Sequence, residues 1–367
     1  MKIAIDCRMS GKSGIGRYLD GILPSIVDSV REGNELFLFG NEERLYDYKN
    51  IEGVEIAQCS VKPFSVKDFC FFPHSISKKI NECDVFYTPY CNIPSGVKIP
   101  ICSTIHDLVF LDMPITSAFG THVRNMIYHY AVMRSAKICT VSEFSASRIR
   151  ALLRCKKPIV ICHNALSKNL SNLKKDSEKS TGLNQIILFV GNIKKHKGLQ
   201  TLLPAFVLAR RRGLNARLVI VGESRNFRSA DKDFEAELFD AQKTGDVQFT
   251  GCVSDEELYS LYQKARLLVQ PSLYEGFGIP PLEALSFGTH VLLSDIPVFR
   301  EIYGDFPVAY FHAGDKEDLA AKLVPVFNAA KEPLPPLPEK YDFAKTSALI
   351  LKELSEIAKA KKTTARQ

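Results

Sequence analysis

The chain has 367 residues, 46% of them hydrophobic and 24% charged, the balance of an ordinary soluble globular protein and more than one core normally holds, so two domains are expected. A formal charge of +7 suits an anionic ligand or an anionic membrane surface, but the basic residues are scattered rather than interleaved with aromatics in a stripe, which argues against nucleic acid as a partner. Ten cysteines without C-x-x-C spacing argue against a zinc site, and apolar runs such as 186–190 fall far short of the roughly 20 residues of a spanning helix, so any membrane contact is expected to be peripheral.

Lys2-Ile3-Ala4-Ile5-Asp6 reads as a short buried strand with no signal peptide before it, which predicts a protein of the reducing cytoplasm with free thiols. Ser10 to Tyr18, with Gly11, Gly14, Gly16 and Arg17, follows as a glycine-rich loop running into an apolar-periodic helix through Leu19, Ile22, Leu23 and Ile26. Strand, glycine loop and helix open a doubly wound α/β domain, with the loop at the strand end where such sheets bind ligands. The spacing is neither a P-loop nor a full G-x-G-x-x-G, so a plain tight turn is the competing reading. Residues 35–39, 54–56 and 85–87 read as further strands, and 100–108 as another, with His106 and Asp107 at its carboxyl tip. His106 is either structural or part of a site at the same sheet edge.

A helix over 121–135 is either an ordinary surface helix or one wall of an acceptor site, and 137–142 is a strand. The basic run Arg148, Arg150, Arg154, Lys156 and Lys157 is either a solvated face or suited to an anionic leaflet. Residues 158–164 close the first sheet, and the polar stretch that follows is the linker. A second sheet starts at 185–190, and the loop after it holds Lys194, Lys195, His196 and Lys197 before a helix at 199–212. Such a cation cluster at a strand's carboxyl edge points to phosphate, against the alternative of a solvated loop. Strands at 217–222 and 247–253 bring Gly222, Gly251 and Cys252 to the same edge, where loops could hold a base through backbone groups. A capping box at Ser254 opens the helix to Ala265, and the strand at 267–272 leads into Tyr274-Glu275-Gly276-Phe277-Gly278-Ile279-Pro280-Pro281-Leu282-Glu283. This last stretch reads as a loop entering a helix, with Glu275 just before the helix start and Glu283 just inside it. The two glutamates either complement the helix dipole or accept hydrogen bonds from the hydroxyls of a bound sugar nucleotide. A strand at 291–294, a proline-rich segment at 332–338 and a final helix over 343–360 complete the chain.

Taken together, Ser13 to Tyr18, Ile105-His106-Asp107-Leu108, Val190-Gly191-Asn192 through Gly198, Val247 to Ser254 and the E-x7-E element from Glu275 to Glu283 resemble the retaining glycosyltransferases of the two-Rossmann-domain GT-B architecture, family four. That family includes many bacterial mannosyl- and other hexosyltransferases. The resemblance covers nearly the whole chain and implies an α/β GT-B fold of two Rossmann-like domains facing a cleft. They would be an N-terminal acceptor-side domain at 1–168, a linker at 169–184, a nucleotide-sugar-binding domain at 185–342, and a C-terminal helix and tail at 343–367 that crosses back to the first domain. It implies that Glu275 contacts the donor sugar, Glu283 the ribose, and Gly276, Phe277, Gly278 and Ile279 the sugar or diphosphate through backbone amides. Lys197 would neutralise the leaving diphosphate, Gly14 and Gly16 would close over it, and His106 would lie beside the transferred sugar, making His106, Glu275 and Lys197 the catalytic set. Asn192 stands where many members carry arginine, so Lys194 or Arg17 is expected to supply the second cation. The implied activity is transfer of a hexose, mannose favoured, from GDP-mannose or a UDP-sugar to a saccharide or lipid-linked saccharide in cell-surface polysaccharide synthesis. No metal or cofactor is expected, and the protein would touch the inner membrane at most peripherally. The alternatives are a non-catalytic sugar-nucleotide-binding subunit and a GT-B sugar-nucleotide epimerase.

Overall fold

The computed structural model of the chain describes residues 1–166, 185–222, 243, 245–330 and 338–364. The expected linker at 169–184 lies outside them. The chain forms two compact units, Met1–Ser167 with Pro338–Gln367, and Lys168–Leu337. Residues 338–342, read from sequence as part of the second domain, pack with the first: the Tyr341 ring lies 5.5 Å from His163, and Leu166 pairs with Asp342.

The first unit is built on a seven-stranded sheet, β1 (Lys2–Asp6), β2 (Glu35–Gly40), β3 (Val54–Gln58), β4 (Val85–Thr88), β5 (Ile101–Thr104), β6 (Lys137–Thr140) and β7 (Ile159–Ile161), in the order β3-β2-β1-β4-β5-β6-β7. Every pairing is parallel. Parallel strands are buried on both faces and therefore read as unbroken apolar runs, as LFLF and VFYT do here. The second unit repeats the design in six parallel strands: β8 (Ile186–Val190), β9 (Arg217–Val221), β10 (Val247–Gly251), β11 (Leu267–Gln270), β12 (His290–Ser294) and β13 (Ala309–Phe311), ordered β10-β9-β8-β11-β12-β13. In each sheet the order reverses once, between β1 and β4 in the first and between β8 and β11 in the second. Ligands of open α/β sheets bind outside the carboxyl ends of the strands at such a reversal.

Two readings from sequence are corrected here, and the partners of the basic run are resolved in part. The first helix begins at Ser13, so Gly14, Gly16 and Arg17 belong to its opening turns and not to a loop. Asp20 on that helix holds the preceding turn down, accepting from the Ser10 hydroxyl at 2.6 Å and the Gly11 amide at 2.9 Å. β5 ends at Thr104, two residues short of His106, because Asp107 turns back to accept from the Val109 amide at 3.1 Å and starts a helical turn. In the basic run, Arg148 is engaged by Asp112, and the Lys157 ammonium donates to the carbonyls of Val132 and Met133 at 2.7 and 2.9 Å and to that of Ser135, closing off the helix Ala118–Arg134. Arg150, Arg154 and Lys156 of the same run are exposed.

The final helix, Phe343–Thr364, packs back on the first unit as expected. Ser347 donates to the carbonyl of Ile22 at 2.9 Å, Thr346 to that of His163 at 2.9 Å, and Lys137 reaches Glu353 and Glu356. The contact is tight at Gly21, where an added Cβ would stand 2.3 Å from the Phe343 ring. Alanine ordinarily favours a helix over glycine by about 1 kcal/mol, yet overpacking a core costs about 1–3 kcal/mol. Gly21→Ala is therefore expected to lower the melting temperature, and Gly21→Ala with Phe343→Leu to recover part of the loss. Calorimetry on both variants checks this.

Candidate functional site

The second sheet's reversal point is where the sequence-predicted residues converge. The loop after β8 tightens into a helical turn at Lys195–Lys197 and stops at Gly198, whose φ of +73° and position admit no side chain: a Cβ would sit 1.8 Å from the carbonyl oxygen of Pro271. Pro271 follows β11, so glycine is what lets the two loops touch. The Leu273 amide donates to the His196 carbonyl at 2.8 Å, stitching them together. Across this seam the Lys197 ammonium donates to both carboxylate oxygens of Glu275 at 2.7 Å. Glu275 is buried, and its Oε1 also accepts from the Ser272 hydroxyl at 2.8 Å, which in turn accepts from Gln270 at 3.2 Å. The Gln270 side-chain oxygen, Oε1, is buried without a hydrogen bond. Ser272, Gln270 and their chain to Glu275 were not singled out in the sequence; two polar residues, Gln270 and Ser272, ending an apolar strand were the available signal.

The run after Glu275 is buried through Gly276, Phe277 and Gly278, and the helix Ile279–Ser286 starts from Gly278, with Pro280 in its first turn. Gly278 takes a φ of +88°, a conformation glycine supplies without a Cβ clash. Its carbonyl accepts from Tyr303, which fixes the helix entry. Glu283, one turn in, is also buried and accepts from the Tyr262 hydroxyl at 2.7 Å. Tyr262, which nothing in the sequence pairs with Glu283, is its positioning partner. Gly222 and Gly251 end the neighbouring strands β9 and β10, joined by a 3.0 Å bond from the Gly222 amide to the Gly251 carbonyl, and Cys252 beyond them is exposed. The glycines and lysine loop thus line one carboxyl edge. Lys194 and Asn192 are exposed at its rim.

In the first unit the corresponding edge holds His106. Its Nε2 lies 2.8 Å from the Pro89 carbonyl, which can only accept, so Nε2 carries the proton. Burial lowers the His106 pKa, against the opposing pull of the Pro89 carbonyl and Asp107, and leaves a neutral ring whose Nδ1 is an acceptor. Tyr18 meets the ring edge-on at 4.9 Å, and Ser145 donates to the His106 carbonyl at 2.9 Å. Arg17 is half-buried and Gly14 exposed, while Gly16 is buried where a Cβ would lie 2.4 Å from the Met9 carbonyl. Close packing therefore accounts for Gly16 by itself.

Beneath that edge lies a network the sequence reading passed over. Arg8 donates to Asp6 at 2.6 and 2.9 Å and to Asp68 at 2.8 Å, all three buried. Tyr90 donates to Asp6 at 2.7 Å, and Asn92 to Asp68 at 2.6 Å. Buried charges persist when they are paired and hydrogen-bonded, as these are. The two carboxylates and the guanidinium hold the β1 and β4 loops and the 61–72 segment in one arrangement.

His196 supplies a measurable signature of the second site. Burial pushes its pKa down to about 4, with Lys197 and Lys194 adding to the effect and Glu275 opposing it. The folded ring is neutral, so its contribution to stability is whole above the ordinary value of 6.5 and is lost as pH falls through about 4. Between pH 7 and pH 4 the wild type is expected to lose about 2 kcal/mol more than His196→Gln, after allowing for partial exposure of the ring. Denaturant titrations of both proteins at the two pH values test this, and parallel pH profiles would contradict it.

Comparison with known proteins bears on the family and the fold. Residues 171–333 match the family described as glycosyl transferases group 1. An uncharacterized glycosyltransferase of Methanocaldococcus jannaschii is 27% identical over 79% of this chain and 78% of its own length. O-antigen chain mannosyltransferase B of Escherichia coli is 27% identical over 60% of this chain and 59% of its own. Among solved structures, sucrose-phosphate synthase from Thermosynechococcus elongatus superposes with a TM-score of 0.65 at 16% identity, covering 100% of this chain and 98% of that one. Anabaena HepE in complex with UDP and glucose gives 0.61 at 15% identity, covering 100% and 99%. Residues 171–333 are thus a group 1 glycosyltransferase domain, set in a chain of the GT-B fold.

Proposed function

We propose that the chain is a retaining glycosyltransferase that moves a hexose, mannose in first place, from a nucleotide diphosphate sugar to a saccharide or lipid-linked saccharide in polysaccharide synthesis. The observation that carries this reading is the Lys197–Glu275 pair at the reversal point of the second sheet. A lysine doubly bonded to one carboxylate is a cation held ready. When a diphosphate arrives, its larger negative charge draws Lys197 away, and the released carboxylate of Glu275 turns to the sugar hydroxyls. Glu283, set by Tyr262, is the acceptor for the ribose hydroxyls. The mannosyltransferase relatives favour mannose, and the relative named for GDP-mannose transfer to a cellobiosyl-diphosphopolyprenol, 32% identical over 38% of this chain and 36% of its own length, favours GDP and a lipid-linked acceptor.

In the chemical step the bond between the sugar's anomeric carbon and the diphosphate oxygen breaks while the acceptor hydroxyl attacks from the face the nucleotide leaves. The hydroxyl proton passes to a phosphate oxygen, so configuration is retained and no protein base is consumed. Lys197, with Lys194 or Arg17, stabilises the negative charge that develops on the leaving group, the role a divalent metal fills elsewhere. His106, neutral and with Nδ1 as an acceptor, suits a sugar hydroxyl and adds no charge beside a cation-like sugar.

Incubation with a panel of GDP- and UDP-sugars, following release of the nucleotide diphosphate, tests donor and activity together. GDP release from GDP-mannose is the expected result, and binding without turnover of any donor would favour a non-catalytic subunit. Lys197→Ala and Glu275→Ala are each expected to lose about 100-fold or more of turnover while melting as folded proteins. Turnover should persist in EDTA; its abolition would remove the lysine account.

A further inference from the structure

Among the described residues, eight large hydrophobic side chains are exposed, and all of them belong to the first unit. Four lie on the helix Ala118–Arg134: Phe119, Val123, Met126 and Met133, with Phe119, Met126 and Met133 between 60 and 78% exposed. At 3.6 residues per turn these four fall within roughly 80° of arc, and Tyr128, buried in the core, points the opposite way. The helix is therefore seated on the protein by one face and carries an apolar stripe on the other. His122 and His129 are exposed along one border of the stripe.

Three more exposed apolar residues, Phe64, Val66 and Phe71, sit on the segment leading to the helix His74–Asn81. Both elements rest on the same core cluster: Phe72, Ile76 and Ile80 pack there beside Ala131, over Ala4, Phe37 and Phe86 of the sheet. They consequently cover one face of the first sheet. Charge is as one-sided as the apolar residues. Within 60–81 the single acidic residue is Asp68, buried on Arg8, and within 118–134 there is none, while Lys62, Lys67 and Lys78 are exposed. Of the acids bordering this face, Glu55 is paired with Lys79 at 2.7 Å, and Glu82 is exposed just past the end of the helix His74–Asn81.

We infer that this face of the first unit is a docking surface for an anionic lipid bilayer. Aromatic and methionine side chains enter the boundary between headgroups and acyl chains, and lysines and imidazoles meet the lipid phosphates. No helix among the described residues is long and apolar enough to span a membrane, so the attachment is peripheral. Neither ingredient suffices alone: a stable interfacial attachment combines buried apolar area with electrostatic attraction to anionic headgroups. A second copy of the chain fits less well, because two such faces would oppose like charges. This attachment does not rest on the transfer reaction, and it is measured without any nucleotide sugar.

The full chain is mixed with sonicated vesicles and sedimented. Vesicles of phosphatidylglycerol with phosphatidylethanolamine should pellet the protein, phosphatidylcholine vesicles should not, and about 0.5 M salt should weaken the binding by screening it. Phe119→Glu with Met126→Glu should lower the affinity about tenfold or more, while Tyr46→Glu, an exposed aromatic on a different segment, should leave it unchanged. All three replaced or control positions are solvent-facing, and unchanged melting temperatures confirm that the fold is intact. Equal binding by wild type and the double variant overturns the inference, as does failure to bind anionic vesicles. A dimer in light scattering that the double variant dissolves would assign the face to a second copy instead.

Discussion

The second unit is organised by one ion pair. Lys197 and Glu275 are separated by 78 residues, and each comes from a loop that leaves the sheet beside its reversal point. Bringing them together requires Gly198 against Pro271, the backbone bond from Leu273 to His196, and a buried His196 that stays uncharged so that it does not compete for the same carboxylate. Glu275 sits low enough in the protein that leaving it without Lys197 would strand a mostly buried charge, which commonly costs several kcal/mol. The same arrangement is therefore a structural seam, and in the proposed reaction its two charged groups are the ones that exchange partners.

The first unit solves the corresponding problem with a different device. There the groups behind the carboxyl edge are a closed network of Arg8, Asp6 and Asp68, fully buried and mutually satisfied, with Tyr90 and Asn92 completing it. Such a network holds loops in place but offers nothing to a ligand. The polar group at the surface of this edge is instead the neutral imidazole of His106. One unit thus presents exchangeable charge and the other a fixed, uncharged acceptor.

The sheets were legible because parallel strands, buried on both sides, must be apolar throughout; LFLF, VFYT and IILFV could scarcely be anything else. Glycine after a strand likewise marked the carboxyl edge of the sheet. Partners were not legible, since Lys197 and Glu275, Tyr262 and Glu283, or Arg8 and Asp68 meet only through the topology. Periodicity also misplaced the start of the first helix. Gly14 and Gly16 look like loop glycines, and the restraint that folds them into a helix comes from Asp20, downstream of the turn it holds. The short helices at Val66–Cys70 and His74–Asn81 and the three-residue strand Ala309–Phe311 went unread because each is too brief to show a period.

The return of the final helix to the first unit makes the second unit an insertion. The chain leaves the first unit after Ser167 and re-enters it at Pro338, and near that crossing Leu166 and Asp342 are paired in a parallel β-bridge. All of the second unit is contiguous, so during synthesis it can be finished while the first still lacks Phe343 and the face of the first helix around Gly21 still lies open. The amino-terminal unit, although made first, is the last to close.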